Sequence, residues 1–397
     1  MITIETAESA LKNIYLESVV NEINMKTNPF LTMVQKNTKA VTGKDAKARV
    51  RYGNERSVET GTETGTLPVA AGLSAEIVEP LKNLYGTFQI SDKALRAAQS
   101  NAGAFAELLG GEMNNLISTA QANLNRMVYG NGMKFLGYMT HVESTLNKIF
   151  VPMRFIDNFA AGVKITVMTA NNEVWAENLS IASVDKVNGS FVSSTALPAG
   201  ALKYDRYYVF QASASKTDLN GIDSVFMHDK IYNLSTSEHK GILPCVVANA
   251  SSSLSTLEQL DEEKVLDFLS EYEEHCQAMP ADIILTHPNV RKALFEQLKD
   301  MRTNVDTMEM AGGFKGFSFN GIPMYADVKC KAGTLYALNS ESFAMHQLCD
   351  WTWLTNDDGS ILRQVDGRPV YSASLVKYAD LICDKPFLQG KITNYAV

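Results

Sequence analysis

Residues 59–66 read Glu59-Thr60-Gly61-Thr62-Glu63-Thr64-Gly65-Thr66, eight positions with no large apolar side chain and two glycines. Such a run has nothing to bury and must project as a loop or hairpin tip. On its N-terminal side, Ala46, Ala48, Val50 and Tyr52 alternate with Lys47, Arg49 and Arg51, the period of two that marks a strand with one polar face. On its C-terminal side, strand character returns over Leu73 to Pro80 and again over Leu84 to Ile90. Val41 to Ile90 therefore reads as a long two-stranded ribbon with a polar tip. A lone hairpin is only marginally stable in water. The ribbon is expected to need a surface to lie on, and another subunit can supply it.

The rest of the chain fits an α+β protein. Ala7, Leu11, Ile14, Val19 and Ile23 fall near helical spacing, widened by Leu16 and Val20, and predict an N-terminal helix from about Thr6 to Asn24. Asn28-Pro29 stops it, because the residue before proline is pushed to extended backbone. Phe105, Leu109, Met113, Leu116, Ala120, Leu124 and Met127 follow steps of three and four and predict one long helix running to about Tyr129. Gly130-Asn131-Gly132 would cap it, and Gly110-Gly111 inside it would mark a bend or a close backbone contact. Gly162 to Phe210 is strand and turn throughout, punctuated by Asn171-Asn172 and Asn188-Gly189, and predicts a small β-barrel or sandwich inserted into a larger unit. An acidic helix over Leu257 to His275, a buried strand at Ile283-Ile284-Leu285 and a helix from Pro288 to Leu298 follow. The last third is mainly strands: Ile322 to Ala326, Thr334 to Leu338, Ile361 to Val365 and Val370 to Lys377.

Chemistry-bearing motifs are missing from this sequence. It contains no phosphate-binding, dinucleotide, nucleophile-elbow or zinc-protease pattern, so neither an enzyme nor a bound cofactor is expected. Cys245, Cys276, Cys330, Cys349 and Cys383 are odd in number and widely spaced, which suits reduced thiols rather than a disulfide framework or a zinc site. His275 and Cys276 are neighbours and so diverge on a helix, leaving a metal shared with His287 the weaker reading. His346 and Cys349, three apart, could meet on a helix, but no second pair stands beside them. Trp351 and Trp353 share one face of a strand, where packing is the simpler account than a sugar site. No basic, apolar leader and no run of eighteen apolar residues is present, so a soluble protein made in the cytosol is expected, with no membrane partner.

Charge is the remaining signal. The net charge of −8 disfavours a tight nucleic-acid binder, because neutralising phosphate supplies most of that affinity. Over Glu258 to Glu274 eight acids, among them Glu262, Glu263 and Asp267, face the single base Lys264. Over Lys36 to Arg56 seven bases, among them Lys47, Arg49, Arg51 and Arg56, face only Asp45 and Glu55. Each patch can be no more than a solvated face. Opposite patches on one chain can also steer subunit to subunit. With Glu63 at the ribbon tip, these residues are the candidate inter-subunit contacts.

The order of elements, and four phrases within it, resemble the major capsid proteins of tailed phages, the HK-ninety-seven-type fold. The phrases are Gln89-Ile90-Ser91-Asp92-Lys93, Arg126-Met127-Val128-Tyr129-Gly130-Asn131-Gly132, Pro280-Ala281-Asp282-Ile283-Ile284-Leu285-Thr286-His287-Pro288 and Asp366-Gly367-Arg368-Pro369-Val370. The likeness is strongest over Leu84 to Gly132, Ile222 to Leu298 and Gly321 to Gly390. It implies an N-terminal arm (1–40), an extended loop (41–80), a P-domain with its spine helix (81–150), a β-rich insertion (151–225), an A-domain (226–345), returning P-domain strands (346–380) and a last A-domain strand (381–397). It further implies pentamers and hexamers closing an icosahedral head in a virion assembled in the host cytoplasm. The partners implied are copies of the chain, a portal protein at one vertex, weakly contacted double-stranded DNA, and optionally separate scaffolding and decoration proteins. Some members crosslink through a lysine on the extended loop, but here no lysine lies between Ser57 and Leu81, so no crosslink from the tip is expected. Two rival readings remain. One is an encapsulin shell, which shares the fold but typically lacks the insertion; the other is a carbohydrate-binding module using Trp175, Tyr204, Tyr207 and Tyr208.

Overall fold

The structure, a computed structural model, describes residues 16–52, 73–93, 102–169, 173–198, 207–212, 218–248, 260–276, 281–297, 307–310, 314–331, 333–356, 359–393 and 395. The predicted long helix is there, spanning Ala102–Val128. Met113, Leu116, Ile117 and Leu124 are buried on one side of it, and that side covers a five-stranded sheet. The sheet's frame is Val370–Cys383, paired along one edge with Lys82–Ser91 and along the other with Phe343–Trp353. Gly86 sits where strand and helix come closest: a Cβ there would stand 2.8 Å from a methyl of Leu116. Gly111 plays no such part. It is exposed with nothing within 4 Å of an added Cβ, so the close-contact reading of that glycine is corrected. The helix Leu16–Lys26 packs on the same core through Val19 and Ile23, and Gln121 of the long helix donates to the Glu22 carbonyl at 2.9 Å. The part of the N-terminal helix predicted before Leu16 lies outside the described residues.

Where the long helix ends, its last carbonyls meet the backbone of another segment. An added Cβ on Gly221 would stand 2.2, 2.5 and 2.6 Å from the carbonyl oxygens of Met127, Val128 and Gly130. Three backbone oxygens cannot step aside as a side chain can. Gly221→Ala is therefore expected to cost at least about 3 kcal/mol, the upper end for overpacking, read as a drop in the urea denaturation midpoint. Gly132, at φ +82°, turns the chain away from the helix.

A second, seven-stranded sheet follows, antiparallel in every pairing, built from residues 135–211. Its core holds Ile165, Val167, Phe191, Tyr207 and Val209. The sequence places the start of this unit at 151, but Phe135–Met139 pairs with Tyr207–Gln211, and Lys148–Phe150 pairs with Ser190–Ser193. Backbone pairing thus assigns 135–150 to the β-rich unit.

The third body is a mixed seven-stranded sheet whose centre, Ile283–Thr286, is buried at all four positions. Glu262–Cys276 and Pro288–Gln297 pack on it through Val265, Phe268, Leu269, Tyr272, Val290 and Leu294. The acidic helix starts at Glu262, later than the predicted Leu257, with the Asp261 carboxylate accepting from the Lys264 N–H at 2.9 Å as an N-terminal cap. The terminal strand Gly390–Thr393 pairs with both Cys245–Ala248 and Leu335–Leu338, which ties the end of the chain into this sheet.

Candidate assembly surface

The ribbon consists of Asp45–Tyr52 paired antiparallel with Leu73–Pro80, with Val41–Thr42 on the outer edge of its first strand. The alternation seen in sequence gives it two unlike faces. Ala46, Val50 and Ile77 are fully buried, while Lys47, Arg49 and Arg51 are exposed in a row on the other face. Arg49 stands opposite Glu76 in register, and its guanidinium donates to the Ser74 hydroxyl at 3.0 Å.

What buries the apolar face corrects an expectation. Another subunit can supply the surface under such a ribbon, but the proximal ribbon lies on its own chain. Ala46, Val50 and Ile77 join one core with Phe226, Ile231, Tyr232 and Ile242. The Tyr52 hydroxyl hydrogen-bonds the His239 imidazole, and the Asn233 amide brackets the second strand, accepting from Val78 N–H and donating to the Glu76 carbonyl, both at 3.2 Å. The physical reason is simple: segment 226–242 lacks long regular strands and leaves an apolar surface that two small residues and an isoleucine can cover. The tip, with Arg56 and Glu63, lies outside the described residues.

The acids sit elsewhere. On the helix Glu262–Cys276, Glu263, Asp267, Glu271, Glu273 and Glu274 are exposed and Glu262 is half-buried. Pro244, Cys245, Val246, Glu271, Glu274 and His275 line an open groove of about 350 Å³ beside it. His275 is engaged there with the Leu243 carbonyl at 3.0 Å, Cys276 contacts the Phe387 carbonyl, and His287 hydrogen-bonds Asn289, so each of the three pairs separately. Burial raises the Cys245 and Cys276 thiols to about 12 and about 11, which keeps them protonated at neutral pH. The basic row and the acidic row are thus carried by separate elements, one lying on segment 226–242 and the other on the end of the third sheet.

Other residues singled out in sequence take structural places. His346 and Cys349 lie on the strand Phe343–Trp353 rather than on a helix, and His346 is buried opposite Asp380. Trp351 and Trp353 are buried in the core under the long helix, with Trp353 edge-on to Phe88 at 5.9 Å. Tyr207 and Tyr208 are corrected as a sugar face: both are buried, Tyr207 edge-on to Trp175 at 5.4 Å and Tyr208 beneath the Lys331 ammonium at 4.5 Å. Tyr204 lies outside the described residues.

Two buried charge clusters escaped the sequence. In one, Asp223 pairs with Lys391 at 2.9 Å and with Lys331, and accepts from the Tyr336 hydroxyl at 2.8 Å. Burial pushes the Asp223 carboxyl up, but the two ammonium groups outweigh it and hold the carboxyl well below the usual range. In the other, Asp380 receives the Asn220 backbone and side-chain N–H groups at 2.8 and 2.7 Å, beside Glu79 and Lys82. A lone charge in an apolar run, such as Asp380 within Ala379-Asp380-Leu381-Ile382, was the available signal.

No protein-family model matches this chain, and no curated protein matches it in sequence. Solved structures match its fold. A chain of the cyanophage A-1(L) capsid asymmetric unit aligns with a TM-score of 0.54 at 12% identity, covering 94% of this chain and 93% of that one. The holo-SrpI encapsulin complex of Synechococcus elongatus aligns with a TM-score of 0.44 at 10% identity, covering 93% and 89%. A Mycobacterium phage Bobi chain aligns with a TM-score of 0.43 at 8% identity, covering all of both chains. The chain has the α+β fold of the cyanophage capsid chain over nearly its whole length.

Proposed function

We propose that this chain is the major capsid protein of a tailed phage, a structural rather than catalytic subunit. Copies of it join as pentamers and hexamers into an icosahedral head around double-stranded DNA. The observation that carries the reading is the end-to-end sharing of fold with a cyanophage capsid chain at nearly equal length. The ribbon supports it, since its exposed basic row has no role inside its own subunit's core.

In this reading the Ala102–Val128 helix is the spine of the P-domain, the ribbon is the extended loop, and the mixed sheet with the acidic helix is the A-domain. Lys47, Arg49, Arg51 and Arg56 meet a neighbouring subunit's Glu262, Glu263 and Asp267, and Glu63 at the tip makes a separate contact. A portal protein occupies one vertex, and scaffolding and decoration proteins are optional partners. The interior holds DNA without gripping it, in keeping with a net charge of −8. Negative-stain microscopy of the purified protein tests the proposal. Closed shells or capsomer rings are expected; dispersed monomers at high concentration would refute it.

A further inference from the structure

At the root of the ribbon, Glu79 near the end of one strand and Lys82 at the start of the next flank the corner Pro80-Leu81. Lys82 lies opposite Ala379 in the strand pairing, which brings this corner against Asp380 of the long terminal strand. Asn220 bridges the two sides. Its side-chain amide donates to Asp380 at 2.7 Å and to Glu79 at 3.3 Å, and its backbone N–H donates to Asp380 at 2.8 Å. Glu79 is 3.7 Å from the Lys82 ammonium. None of the four is more than 8% exposed.

The count of charges does not close. Fully ionised, the site holds two carboxylates and one ammonium, a buried excess of one negative charge, which is costly away from water. A single proton removes the excess. Other titratable groups facing Asp380 oppose supplying it: burial pushes His346, across in register, toward its neutral form, and the Tyr232 hydroxyl stays protonated while accepting from the Cys383 N–H at 2.9 Å.

We propose that this cluster is a proton-operated latch: with a proton held on Asp380 the root of the ribbon is fastened to the terminal strand, and loss of that proton loosens it. Burial, opposed by Lys82 and Asn220 and aided by Glu79, raises Asp380 to about 7. In an opened root the same carboxyl returns toward the ordinary aspartate value of 3.8. The closed form therefore binds more protons between these values, and it loses stability relative to the open form as pH rises through about 7.

Hydrogen exchange on the unassembled full chain tests the latch independently of shell formation. Corrected for intrinsic exchange, protection at Glu79, Leu81, Lys82 and Asn220 is expected to fall roughly tenfold between pH 6 and pH 8. Asp380→Asn, which fixes the neutral form, is expected to keep protection flat over that range. Glu79→Gln is expected to move the transition to lower pH, and it carries the test should Asp380→Asn not fold. Protection independent of pH in the wild type, or an unmoved transition in Glu79→Gln, would overturn the proposal.

Discussion

Asp223→Ala is expected to destabilise the chain by about 3–5 kcal/mol, the range for breaking a buried ion pair from one side. Asp223 is 1% exposed, and so is the Lys391 ammonium-bearing side chain; Lys331 is scarcely more open at 10%. Removing this carboxylate takes a buried partner from two ammonium groups and the Tyr336 hydroxyl at once. Lys391 is already held down to about 8, by burial above all and by the nearby Lys331, with Asp223 the main group opposing both and Cys330 a lesser one. Without Asp223 the largest attraction opposing burial is gone, and the Lys391 amine is driven further toward its neutral form. The Lys391 ammonium lies 5.5 Å from the Tyr336 ring centre and 5.7 Å from that of Phe226, contacts too weak to take the place of a carboxylate. The location raises the consequence: Asp223 belongs to the turn beside Gly221, Lys391 to the terminal strand and Lys331 to the loop before Leu335–Leu338, so three remote segments come apart together. Urea denaturation reads the loss. Replacing the set with apolar residues, Asp223→Leu with Lys331→Met and Lys391→Met, should return much of it, because no unpaired charge then remains buried. Equal stability of Asp223→Ala and wild type would show that the cluster is not the fastening described.

The parts of this molecule that were legible in sequence are those whose periodicity reports one neighbour. Ala46, Val50 and the intervening bases declared a one-sided strand, and Met113, Leu116 and Leu124 declared a helix lying on a sheet. Phe135–Met139 was not legible in the same way. Four of its five residues are apolar, the fifth is glycine and none is charged, so it carries no alternation to separate it from the helical unit before it. The surface under the ribbon was hidden for another reason. Ile231, Tyr232 and Ile242 sit in short, irregular backbone, where apolar residues show no period. A lone charge in an apolar run can mark a cluster member, but its partner lies beyond sequence reasoning: Asp223 and Lys391 are 168 residues apart. Of the candidate contacts, the exposed row Lys47, Arg49 and Arg51 follows from strand alternation alone, and the exposure of Glu263 and Asp267 from helical spacing.

Charge reversal at Arg49 and Arg51 is expected to abolish or greatly slow assembly while leaving the subunit folded. Both side chains point away from Val50, whose burial anchors the strand, so the core beneath is untouched. Within the ribbon, Arg49→Glu would set a second acid against Glu76, a like-charge pair costing about 0.2–1 kcal/mol. That is small beside the stability of a folded domain. Between subunits the arithmetic differs, because complementary fields can raise encounter rates by roughly 10–1000-fold and like charges suppress the wrong approach. Arg49→Glu with Arg51→Glu turns two attractive contacts into two repulsive ones. Light scattering should then show assembly slowed by at least about tenfold, with the circular dichroism melt lowered by no more than about 4 °C. Arg49→Gln separates loss of charge from its reversal and should fall between. If the acidic helix is the partner surface, Glu263→Lys with Asp267→Lys in the same chain should restore assembly, since every copy then carries both reversed faces. Raising salt should slow the wild type, as the Debye length shrinks from about 10 Å at 0.1 M to about 3 Å at 1 M, and should partly relieve the doubly reversed ribbon variant. Assembly of that variant at the wild-type rate would mean that the ribbon's basic row meets no neighbour.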